Sequence, residues 1–68
     1  MNTLERAELK SKNLSVACNK ASKLAKMTGQ TYFVFDGYEQ GWDRYLVLSA
    51  AYIELSDLEM VVAVVHPS

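Results

Sequence analysis

Sixty-eight residues with a formal net charge of −1 allow one domain and no second. Half the residues are apolar, which excludes an intrinsically disordered composition, and no apolar run approaches the ~20 residues of a membrane span. One cysteine excludes an intrachain disulfide, and one histidine with scattered carboxylates offers no metal-ligand spacing, so the expected support for so small a core is another protein chain.

The charge is segregated along the chain. Residues 1–30 carry a net +4, from six lysines and arginines against Glu5 and Glu8. Residues 31–68 carry a net −5, from Arg44 against six acids. The division coincides with a change in periodicity, from basic helix to acidic, aromatic strands.

Taken in chain order, residues 3–28 read as one helix. Leu4, Ala7, Ser11, Leu14, Cys18, Ala21 and Ala25 recur at alternating steps of three and four, and Ala17 and Leu24 widen the same stripe. Asn2 with Glu5 resembles a capping box, and Gly29 stands where a left-handed C-cap belongs. Such a helix would be about 39 Å long at ~1.5 Å per residue, against strands of about 20 Å. It must overhang the sheet or break, and Ser11-Lys12-Asn13-Leu14-Ser15 is the weak point, with Ser11 or Asn13 as a second N-cap.

Thr31–Asp36 reads as a first strand and Arg44–Ser49 as a second, joined as an antiparallel hairpin through the turn signals Asp36-Gly37 and Gln40-Gly41. Ala50–Leu55 is ambiguous. Ser56-Asp57-Leu58-Glu59 has the pattern of a capped helical turn. Met60–Val65 reads as a third strand, because its four valines lose χ1 freedom in a helix. The alternative is a short buried helix over residues 58–65. The expected fold is therefore α+β, with one long N-terminal helix packed on a small three-stranded antiparallel sheet in the order α-β-β-(short helix)-β. The third strand is apolar on both faces, whereas one helix covers only one face of a sheet. That excess points to a homodimer or an obligate target.

Catalytic chemistry has few candidates here. Cys18 sits on the apolar stripe and reads as a small buried hydrophobe. His66 is near the chain end, without an orienting partner in sequence. No phosphate-binding glycine loop, nucleophile triad or calcium-loop pattern occurs, so neither an enzyme nor a cofactor is expected.

Two candidate surfaces remain. The first is the acidic, aromatic hairpin: Asp36, Tyr38, Glu39, Trp42, Asp43 and Tyr45. Large rigid aromatics with flanking acids suit binding to a basic protein surface, although Trp42 could equally plug the sheet. The second is the helix face bearing Lys12, Asn19, Lys20, Lys23 and Lys26, which suits nucleic-acid phosphates, against an overall pI near 5.7. No motif carries a family assignment. In size and style the chain resembles small phage-type inhibitors and regulators. The expectation is a non-enzymatic protein-binding module acting through the hairpin, with nucleic-acid binding as the alternative. With no export signal at its N-terminus and a single cysteine, the expected location is cytoplasmic, in the host cytoplasm if the chain is phage-encoded.

Overall fold

The computed structural model describes residues 7–67. It is an α+β fold with four strands, not three. Strand β1 is Leu9–Ser11, helix α1 is Leu14–Thr28, β2 is Tyr32–Asp36, β3 is Tyr45–Ser49 and β4 is Val61–Val65. The strands form one antiparallel sheet in the order β1-β3-β2-β4.

The correction lies in the expected long helix. Within the described residues, Leu9–Ser11 is not helical and pairs with β3 in the register Leu9↔Val47, Lys10↔Leu46 and Ser11↔Tyr45. The amide of Glu8 extends the ladder to the Val47 carbonyl at 2.9 Å. Without β1, β3 would present unpaired backbone groups along one side. The break falls at the weak point. Asn13 is extended, and its side-chain oxygen accepts from the Val16 amide at 3.2 Å, so it is the N-cap. The remaining 15-residue helix is about 22 Å long, commensurate with five-residue strands of about 17 Å. Gly29 ends it in the left-handed conformation, at φ 72°, with its amide on the Ala25 carbonyl. The Asn2–Glu5 pattern lies outside the described residues.

The helix covers one face of the sheet. Ala17, Ala21 and Ala25 are fully buried against Tyr32, Val34 and Val47, with Leu9, Tyr45, Ala63 and Val65 completing the layer. Cys18 is half-buried beside this layer, as a small apolar side chain. The opposite face centres on Phe35, Leu46 and Leu48, all buried. Among the described residues no second helix covers them. Ala7, Phe33, Trp42, Ile53, Met60 and Val61 pack over them instead.

The connections are single 3₁₀ turns at Tyr38–Gln40 and Ala50–Tyr52, and a longer 3₁₀ segment at Leu55–Met60. The capping box of the last segment is displaced from the expected Ser56–Glu59. The Glu54 amide donates to Asp57 Oδ2 at 2.9 Å and the Asp57 amide donates to the Glu54 carbonyl at 3.0 Å. Asp57 is buried, and this is the position that ties the segment down.

Asn13→Ala is expected to lower stability by about 1 kcal/mol, with Asn13→Asp retaining most of it, as read from urea unfolding midpoints. Equal losses in both variants would show that the cap does not hold the strand-to-helix junction.

Candidate interaction surfaces

The hairpin between β2 and β3 uses much of its own chemistry internally. Asp36 ends β2, and its Oδ1 accepts from the Tyr38 amide at 2.9 Å, starting the turn. Gly37 is buried, and a Cβ at that position would collide with the Arg44 carbonyl oxygen, so the chain crosses itself there with room only for glycine. The Trp42 amide closes the loop on the Gly37 carbonyl at 2.9 Å. The Trp42 side chain is half-buried against the Phe35–Leu46–Leu48 cluster. It acts as part of the cover on the helix-free face.

Tyr45 packs into the helix-side core and meets Tyr38 edge-on, with ring centroids 5.1 Å apart. Tyr38 is 39% exposed, and its hydroxyl donates to the Lys12 carbonyl at 2.8 Å. That bond ties the hairpin to the junction between β1 and α1. The Tyr38 phenol is pushed above the ordinary tyrosine value, first by desolvation and then by the Asp43 carboxylate and Tyr45, with Asp36 adding and Arg44 opposing. Of the six hairpin candidates, Tyr38, Glu39 and Asp43 are exposed, and Asp43 takes a left-handed backbone at φ 55°.

The second candidate face is divided by the break in the helix. Asn19, Lys20, Lys23 and Lys26 are all exposed on α1, away from the buried alanines. Lys12 precedes the helix and belongs elsewhere. With Lys10, Ser11 and Arg44 it lines an open hollow of about 200 Å³ at the β1–β3 margin. A reading that placed Lys10 and Lys12 on a helix had no means of bringing them to Arg44. Strand pairing does this, because Ser11 lies opposite Tyr45.

A third surface is apolar. Among the described residues β4 is an edge strand, hydrogen-bonded only to β2. Val62 and Val64 are 47% and 46% exposed, and the 3₁₀ segments leading to β4 expose Tyr52, Leu55 and Leu58. Leu55 and Leu58 are three apart, a spacing that eclipses side chains on a 3₁₀ helix. Val64 lies opposite Phe33 and so shares the face that lacks a helix. The uninterrupted apolar run Met60–Val65 in the sequence was the signal for this surface. Among the described residues no group of three or more His, Cys, Asp or Glu side chains is arranged to hold a metal ion, and no helix is long and apolar enough to cross a membrane.

Trp42→Ala is expected to destabilise the fold by about 2 kcal/mol, below the 3–5 of a fully enclosed aromatic, as measured by chemical denaturation. A smaller change than about 0.5 kcal/mol would place the indole outside the structural cover. Tyr38 supplies a pH test. Its raised folded value favours the neutral phenol, so its contribution is complete below about pH 10 and declines as pH rises through the folded value. Tyr38→Phe is expected to flatten the alkaline fall in unfolding midpoint relative to the native chain. Superimposable alkaline profiles would refute the assignment.

Comparison with protein-family models, with curated proteins and with solved structures finds no significant match to this chain.

Proposed function

We propose that this chain is a non-enzymatic protein-binding module that completes its sheet along β4, with a second copy of itself as one partner that fits. The observation that carries the reading is the edge strand Val61–Val65, which consists only of apolar residues and leaves Val62 and Val64 nearly half exposed. Natural sheets usually protect such an edge with lysine, proline or a covering element. Here the strand has a register irregularity opposite Val34 and Phe35, but no charge. Strand addition would satisfy its outward backbone groups and bury the valines together.

The sequence of β4 supports self-pairing. Val-Val-Ala-Val-Val reads the same in both directions. An antiparallel pair about Ala63 therefore sets Val61 against Val65, Val62 against Val64, and Ala63 against itself. A two-fold interface requires this kind of self-complementarity. Compared with the hairpin, whose Trp42 and Tyr45 are engaged by the chain's own core, β4 offers more uncommitted apolar surface.

Val62→Lys with Val64→Lys tests the reading, because both side chains are exposed and lysine is compatible with a sheet edge. The native chain is expected to sediment as a concentration-dependent dimer, and the double variant as a folded monomer with an unchanged circular-dichroism spectrum. A native chain that stays monomeric, and is no less soluble than the double-lysine variant, would overturn the proposal.

A further inference from the structure

We propose that the hollow lined by Lys10, Ser11, Lys12 and Arg44 is a binding site for a multiply charged phosphate-type anion. The proposal rests on the charge and anchoring of these residues and is independent of the β4 edge.

Among the described residues, three cations and one hydroxyl line the hollow, and no carboxylate does. Among the described residues, Lys10, Lys12 and Arg44 have no ion-pair partner. Placing three like charges along one margin without compensation is unfavourable, and an anion seated between them removes that repulsion. A single carboxylate would satisfy one guanidinium. Three cations suit an oxyanion carrying two or more charges.

The cations are also held in place by their surroundings. Arg44 is half-buried, and its Nε–H donates to the Trp42 carbonyl at 3.0 Å, which orients the guanidinium and leaves its terminal nitrogens for a ligand. The Lys12 main chain is pinned by the Tyr38 hydroxyl, and Ser11 Oγ bonds with the Asn13 main chain. Lys10 lies in the β1 ladder opposite Leu46. Helix α1 begins two residues after Lys12 with no acidic residue in its first turn, so its positive pole adds to the same potential. Asp36 and Asp43 act on neighbouring Tyr38 and not in the lining, so they limit the field of the site without closing it.

The test is a titration of the full chain with sodium pyrophosphate, followed by ¹H–¹⁵N spectra. Acetate at matched ionic strength controls for general charge effects. A single-stranded oligonucleotide serves as the second source of phosphate. Pyrophosphate is expected to move the Arg44 Nε–H resonance and the amides of Lys10–Lys12, with acetate nearly silent. Lys10→Gln with Lys12→Gln, both exposed, is expected to weaken binding by roughly tenfold or more while leaving the spectrum of the core unchanged. Perturbation of the same residues by the oligonucleotide, lost in the same variant, would identify nucleic-acid phosphate as a source. Pyrophosphate alone perturbing them would identify a small ligand. Shifts spread equally over Lys20, Lys23 and Lys26, or binding unchanged in the double variant, would overturn the proposal.

Discussion

The close seating of three alanines on the sheet is the contact on which the rest depends. Ala17, Ala21 and Ala25 are wholly buried against Tyr32, Val34 and Val47. Small side chains bring the helix backbone near the sheet and exclude water without long rotamer-rich groups, which limits the entropy lost on ordering. Because the stripe is narrow, one 15-residue helix covers that face, and its outer side carries Asn19 and the lysines, with Val16 and Met27 also exposed. The length of the helix is limited in turn by the sheet beneath it.

This arrangement makes the two sheet faces unequal. The helix closes one face as a continuous layer. The other is closed piecewise by Trp42, Ile53 and Met60, which come from turns and 3₁₀ segments. Piecewise cover protects Phe35, Leu46 and Leu48 at the centre but runs out at β4. The same shortage that pulls Trp42 inward therefore leaves Val62 and Val64 outward. The aromatic hairpin and the apolar edge are two consequences of one small core, and the edge leaves more apolar surface exposed than the hairpin does.

The hydrophilic surfaces follow from where the chain turns. Breaking the helix at Asn13 moves Lys10 and Lys12 from a helix face to a sheet margin, where Arg44 stands. The basic half of the sequence is thus split into two clusters with different neighbours. One projects from a regular helix. The other is held by backbone pairing and by the Tyr38–Lys12 bond, which makes the hairpin a brace for the basic hollow.

The amino-acid sequence by itself determined the helix register over residues 14–28, its glycine stop, the β2–β3 hairpin and the extended state of the valine run. Each depends on local properties: side-chain periodicity, β-branching, and the backbone freedom of glycine at Gly29 and Gly41. The sequence also marked Asn13 as a place where a helix could start. Only the tertiary structure decided that Leu9–Ser11 becomes a strand, because its three residues carry no strand signal of their own and gain their order from the unpaired margin of β3. The strand order, the inward turn of Trp42 and the meeting of Lys10 and Lys12 with Arg44 belong to the same class. They are set by contacts between residues far apart in the chain, where the hydrogen bonds and apolar surface of a distant neighbour outweigh local preference.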